Sequence, residues 1–344
     1  MQVTEEADPP RTPRVQAVTR GLGQWLWESS LSLFVSTYQH DSLIILSGTP
    51  SDDLCLTAYP FDRPMGMAIS LAEFKLATRQ HIWNFRNTTE IVTDAPAHDS
   101  AIYQLQSVIP TGFLDAHDIA SPSADEAIIV DTHHSCLRRI TAEGTQEAVW
   151  KPDFISDLAP EDRCHLNGLA SEAGKPRFAT VVARSDQAEG WRQDRRRGGA
   201  LLDIESNDVI AQGLSMPHSP RVYRDRIWLL NAGTGEFGFV EPGSGGFHAI
   251  AFCPGFLRGL TFYEDYAIVG LSQARRNRKF TDLDLDDQLL RHGEEAICGL
   301  MFIHLTRHEV HFTLAFESPL TELFDVQALV GPQHPNLLKC RQLE

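Results

Sequence analysis

The sequence predicts an all-β fold, a β-propeller of six blades, with seven as the alternative. Three observations lead there. The apolar runs are short, about five to seven residues, rich in β-branched and aromatic types and bounded by Gly, Asp, Asn or Pro. Stretches with the 3.6-residue period of a helix are scarce. A strand pair with a polar turn returns at intervals of 40 to 53 residues, the spacing of a four-stranded blade.

At the start of the chain, Met1–Arg20 carries Glu5, Glu6, Asp8, Pro9, Pro10 and Pro13 with no apolar run. It lacks the basic start and apolar region of a secretory signal, so residues 1–22 are expected to be a disordered leader and the protein cytoplasmic. Leu31–Thr37 and Ser42–Ser47 read as strands around a turn at Gln39–Asp41. Glu126–Thr132, Arg177–Ala183, Arg226–Asn231 and Tyr266–Leu271 have the same character. Asp282–Arg291 is the best helical stretch, and Leu320–Leu329 holds a closing strand. One propeller domain is expected over residues 23–335, with a tail at 336–344.

Within the repeat, four copies align on His117, His165, His218 and Arg258, which are 48, 53 and 40 residues apart. Earlier copies are expected near Leu31 and Met67. A four-stranded blade cannot cover both of its faces, whereas a closed ring of blades covers all of them and removes the edges. A double-sheet sandwich would not need such repetition. Gln273–Glu295, with Arg275, Arg276, Arg278 and Lys279 before Asp282, Asp284, Asp286 and Asp287, departs from the spacing and reads as a solvated loop over one face. Arg192–Arg197 is a second charged excursion.

Thirty Lys and Arg stand against 46 Asp and Glu, a formal charge of -16. That balance argues against nucleic acid or an anionic membrane as partner, since phosphate attraction needs a basic face. No run approaches the apolar length of a membrane span. The six cysteines form no C-x-x-C pair and read as dispersed, buried thiols, with Cys164 set apart by its neighbour His165.

In a propeller the innermost strand of each blade lines the central channel, so equivalent residues of successive blades converge on the axis. Here they are three imidazoles and a guanidinium. Imidazole suits Zn, Fe or Cu, and three histidines with an open position make a catalytic metal site. His117, His165 and His218 are therefore the expected ligands of a divalent transition metal. Arg258 is expected to anchor a substrate anion, with Asn167 and Glu236 as catalytic companions. The same residues also fit a metal-free polar site in which His165 or His218 is a general base. Asn231–Gly238 contains Gly-x-Gly after a strand but opens no helix, so it reads as a turn and not a phosphate loop.

The blocks Cys164–Ala170, Met216–Arg221, Trp228–Gly238 and Cys253–Leu260 resemble a family of uncharacterised bacterial proteins with a propeller-like repeat, over about Leu26 to Val330. That resemblance implies the fold and no particular activity. A looser similarity is to six-bladed propeller enzymes. The peptidylglycine amidating lyases hold zinc through three histidines from different blades, and gluconolactonase-like and streptogramin-lyase-like propellers work at the axial mouth. The expected function is an enzyme acting on a small polar or anionic substrate or peptide as a metal-dependent hydrolase, lyase or oxidoreductase. The alternative is a non-catalytic ligand- or protein-binding propeller.

Overall fold

Leu31–Thr37 and Ser42–Gly48 are buried at every residue, as happens when both faces of a sheet are covered. Successive side chains leave a strand on opposite faces. Leu33, Val35, Ile44 and Leu46 therefore join one apolar cluster, while Phe34, Leu43 and Ile45 join another. Ala127 and Ile129 part in the same way from Ile128 and Val130, and Ile227 and Leu229 from Trp228 and Leu230. The six clusters fill the six interfaces of a ring of six sheets.

The computed structural model, which describes residues 12–89, 101–241, 243–273 and 282–339, is a six-bladed β-propeller. Its inner strands are Asp325–Val330 in blade 1, Met67–Ile69 in blade 2, Ala116–Ser123 in blade 3, Leu166–Glu172 in blade 4, Pro217–Tyr223 in blade 5 and Phe256–Tyr263 in blade 6. Each touches the next around the axis, and the last returns to the first. Two glycines permit that approach. A Cβ on Gly168 would lie 2.3 Å from Pro220 Cδ of blade 5, and one on Gly259, at φ +81°, would lie 2.5 Å from the Val326 amide nitrogen of blade 1.

Closure uses both ends of the chain. Asp325–Val330 pairs antiparallel with Leu31–Thr37, joining a C-terminal inner strand to three N-terminal ones. Leu31 thus starts the second strand of its blade and not the first of a copy. The expected leader and tail are corrected in part. Val15–Val18 pairs with Glu309–Phe316 as a fifth strand of blade 6, and Leu22–Glu28 is a helix. Asn336–Leu338 pairs in parallel with Ile102–Pro110 as a fifth strand of blade 2. An outermost strand presents unpaired backbone groups, and these short terminal strands cover two of those edges. The parts of the leader at 1–11 and of the tail at 340–344 lie outside the described residues, as does Arg275–Lys279. Within the charged excursion Gln273–Glu295, Leu285–His292 is helical.

Candidate functional site at one mouth of the channel

All inner strands start at the same mouth. The loops that enter them, and the loops joining second to third strands, meet there around a cavity of about 180 Å³. His117, His165 and Arg258 line it together with Asp115, Asp162 and Trp191.

A repeated backbone device sets the imidazoles. Asp115 and Met216, two residues before His117 and His218, hold left-handed conformations at φ 50° and 49°. Such conformations are costly for residues with a Cβ. They turn the carbonyls of Asp115 and Met216 onto the Nδ1 atoms of His117 and His218 at 2.8 and 2.7 Å. A carbonyl can only accept, so each Nδ1 carries the proton and each Nε2 is left bare. Thr132 gives its own proton to the Leu166 carbonyl and accepts a second bond from His117 Nδ1 at 2.9 Å. In blade 4 the entering loop is longer, and a side chain does the same work. Asp162 Oδ2 accepts His165 Nδ1–H at 2.8 Å and Trp191 Nε1–H at 2.9 Å, while the Trp191 ring lies against the imidazole at 4.2 Å between centroids.

Burial holds these groups in defined charge states. It drives His117 down to about 4, beyond the opposing pull of Asp115, so this imidazole is neutral at neutral pH. Burial and the field of Arg258 hold His218 well below the ordinary value. Burial pushes the Asp115 carboxyl up, but His117, His165, Arg63 and Arg258 outweigh it and hold it below the usual range.

Arg258 is 8% exposed. Its guanidinium carbon lies 5.7, 5.6 and 5.0 Å from the ring centroids of Tyr38, Phe256 and Phe324, contacts of cation–π range. Among the described residues it makes no hydrogen bond or ion pair; Glu322 and Asp115 act on it only through their fields. The other arginines at the cavity are paired: Arg63 with Asp115 at 3.3 Å, Arg192 with Glu189 at 2.7 Å and Arg195 with Asp282 at 2.8 Å. Arg196 also bonds Asp284, so the two charged excursions clasp each other at the rim.

Farther along the inner strands, Arg221 donates to Asp118 at 2.9 Å and to the Leu169 carbonyl at 3.1 Å, and lies 3.7 Å from Asp325. Asp118 also accepts the Leu169 amide, and Asp325 the Met67 amide. One arginine and two carboxylates thereby tie five blades across the axis. Asp118 and Arg221 also line a second cavity of about 380 Å³ beyond.

The residues singled out from the sequence divide into two groups. His117, His165 and Arg258 meet at the cavity, with the first two rings 4.8 Å apart between centroids. His218 packs its ring on Phe256 at 5.3 Å, and Met216 lines the cavity in its place. Among the described residues no group of three His, Cys, Asp or Glu side chains is disposed to hold a metal ion. With His218 turned onto Phe256, two imidazoles remain at the cavity, fewer than the three expected to bind Zn, Fe or Cu, so that donor set does not fit. Asn167 donates to the Pro217 carbonyl at 3.0 Å and sits over the His218 ring, 3.2 and 3.1 Å from its two nitrogens. It supports that ring from outside the cavity. Glu236 is also off the cavity, on the third strand of blade 5, where it accepts from Thr234 at 2.7 Å and Asn231 at 3.3 Å within their turn. Cys164 is fully buried and pushed up to about 12 by that burial, which removes it as a nucleophile. Asp115, Asp162, Arg63, Tyr38 and Trp191 also stand at the cavity, although the repeat does not mark them. The first two carry a visible signal, since each lies two or three residues ahead of a marked histidine.

No helix among the described residues is long and apolar enough to cross a membrane. Solved structures share the architecture at low identity. One is a chain of the nidogen/laminin complex, 9% identical with a TM-score of 0.56, covering 88% of this chain and 99% of that one. Another is a protein of unknown function from Bacteroides caccae, 10% identical with a TM-score of 0.51, covering 87% and 99%. A streptogramin B lyase structure aligns more loosely, at 11% identity and a TM-score of 0.41 over 83% of this chain and 76% of that one. At identities this low the first two bear on fold alone. No curated protein matches the chain in sequence. Residues 20–338 match the model of a domain of unknown function, DUF4915, and the chain belongs to that family.

Proposed function

We propose that the cavity at the histidine-bearing mouth binds a small anionic molecule through Arg258 and performs general acid–base chemistry on it with His165. The observation that carries this reading is Arg258 itself: a buried guanidinium, walled by three rings and facing a cavity, with no hydrogen-bonding partner among the described residues. Burying such a group without partners is expensive. A ligand carboxylate or similar anion supplies the missing acceptors, in a two-pronged geometry that suits arginine.

His165 is the acid–base group because of its partner. Asp162 fixes the Nδ1–H tautomer and offsets the positive charge that forms when the bare Nε2 takes a proton from the substrate. Trp191 fixes the plane of the ring. Such an arrangement serves eliminations or hydrolyses begun by proton transfer. The cavity is smaller than the roughly 300–1,000 Å³ that hold drug-sized ligands, so it takes a small molecule or the terminal group of a larger one.

The test begins with the protein as purified. Denaturation and mass spectrometry should release a small anion from wild type and none from Arg258→Met. If nothing is released, the two proteins are compared for thermal response to a panel of small anions. Equal responses from both would remove the proposal.

A further inference from the structure

The hydrogen-bonding character of the cavity specifies its ligand more narrowly than charge alone. Resting on the anion-binding reading above, we infer that the ligand is a small hydroxy-substituted monocarboxylate.

Charge comes first. Arg63, Arg192 and Arg195 each have a carboxylate of their own within 3.3 Å, and the Asp162 carboxylate already serves His165. Among the described residues Arg258 is the cavity arginine without an ion-pair partner, and Glu322 and Asp115 reach it only through their fields. A ligand with one negative charge matches it. A phosphate monoester or a dicarboxylate would bring a second negative charge into a cavity lined by Asp115 and Asp162 and uncompensated there.

Hydrogen bonding comes second. With their Nδ1 protons held by Asp115 and Asp162, His117 and His165 present bare Nε2 atoms, which only accept. Their ring centroids are 4.8 Å apart, edge to face, and both residues line the cavity. Burial keeps His117 neutral, so it does not become a donor near pH 7. A ligand meeting this set needs hydrogens to give. Unsubstituted carboxylates have none once the arginine is satisfied. A hydroxyl has one, and it brings no positive charge toward the arginines as an ammonium would. The two halves of the site therefore ask for different things, an anion at Arg258 and a donor at the imidazoles.

The probes are glycolate, lactate, glycerate and 4-hydroxybutyrate, each paired with its deoxy counterpart (acetate, propionate or butyrate), with succinate and sulfate as dianionic controls. Thermal shift and calorimetry on the full chain at neutral pH should show at least one hydroxy acid binding about tenfold or more tighter than its deoxy partner, the cost of leaving buried acceptors unmet. Arg258→Met should abolish that response, and Arg258→Lys, which keeps the charge, should retain the preference at lower affinity. Equal binding of hydroxy and deoxy acids, or tighter binding of succinate or sulfate, overturns the ligand class while an effect of Arg258→Met leaves the anion site standing. No response to any anion, or responses unchanged by Arg258→Met, overturns both.

Discussion

Replacing Arg258 with methionine should make the protein more stable, and the role of this residue as an anion anchor depends on that sign. Two terms oppose each other. The guanidinium is largely withdrawn from bulk water at the wall of the cavity, without a hydrogen bond or ion pair among the described residues, which costs a part of the several kcal/mol of a fully buried ion. Three aromatic contacts at 5.0 to 5.7 Å offset part of that, at about 0.5–1 kcal/mol each and more where water is excluded. Methionine keeps the unbranched stem, fills the same aromatic enclosure and has no ion to desolvate. Its loss is the field that Arg258 exerts on Glu322, which keeps its bond from Tyr38, and on Asp115, which still has Arg63 at 3.3 Å. The balance favours the variant by about 1–2 kcal/mol. At ~2–4 °C per kcal/mol for domains of 150–250 residues, and less for a longer chain, the expected rise in Tm is about 2–5 °C. Scanning calorimetry on ligand-free protein measures it. A fall of more than about 2 °C would mean that Arg258 holds the fold together, as breaking a buried ion pair does at about 3–5 kcal/mol, and a guanidinium awaiting a ligand would no longer account for it.

Asp162→Asn removes the only-accepting partner of His165 Nδ1–H, so long-range proton–nitrogen NMR should show the Nε2–H tautomer appearing at His165, and turnover of any substrate found should drop by about 10²–10⁴-fold. Gly168→Ala puts a methyl group 2.3 Å from Pro220 Cδ and 3.0 Å from the Ser219 amide nitrogen, an overpacking cost of about 1–3 kcal/mol or more that urea denaturation will read. Acid should weaken the fold through His117. Its folded value near 4 lies below its unfolded one near 6.5, so the unfolded chain binds the extra proton between those values and stability is lost as pH falls through that window. From pH 7 to 5 this amounts to about 2 kcal/mol, and His117→Asn should show a loss smaller by that amount in urea titrations at the two pH values. Asp325 works in the opposite sense, since burial raises it to about 6 and stability is gained as pH falls from there towards its unfolded value; the comparison between variants at fixed pH cancels that contribution.

The propeller is legible in the sequence because the same physical requirement recurs six times. A strand buried on both faces must be apolar at every position, and Leu43–Leu46, Ala127–Val130 and Ile227–Leu230 all show it. The convergence of His117, His165 and Arg258 is legible for the same reason, since equivalent residues of successive blades must meet at the axis. Which way a ring faces is decided by partners that the repeat does not encode. His218 stands in register with the others, yet Phe256 of the next blade and Asn167 of the previous one hold its ring, so a three-histidine metal site does not follow from register alone. Glu236 misleads because a turn residue beside a third strand looks, in sequence, like one beside a first. The two terminal strands escape notice because Val15–Val18 and Asn336–Leu338 have only three or four residues, and their pairing depends on edges contributed from remote parts of the chain.

The repeat also explains how one mouth acquired a chemical asymmetry that symmetry alone would forbid. The left-handed residue two positions before the marked histidine appears in blades 3 and 5, at Asp115 and Met216, and in both it orients an imidazole through a backbone carbonyl. Blade 4 lengthens the same entry loop and substitutes the Asp162 carboxylate for that carbonyl. A carbonyl fixes a tautomer, whereas a carboxylate bonded to Nδ1 also stabilises the imidazolium; the Asp115 carboxylate stands farther from His117 Nδ1, at 3.7 Å, and is shared with Arg63. Blade 6 has an arginine in place of the histidine, and blade 1 supplies Phe324 and Tyr38 to wall it in. One backbone framework thus holds an acceptor at blade 3, an acid–base group at blade 4 and an anion anchor at blade 6, and the differences lie in single residues beside equivalent positions. If His165 is the acid–base group, the feature that distinguishes it from His117 is the longer loop, not the histidine. Transplanting an Asp three residues ahead of His117 would therefore not confer its role unless the loop entering blade 3 were lengthened as well.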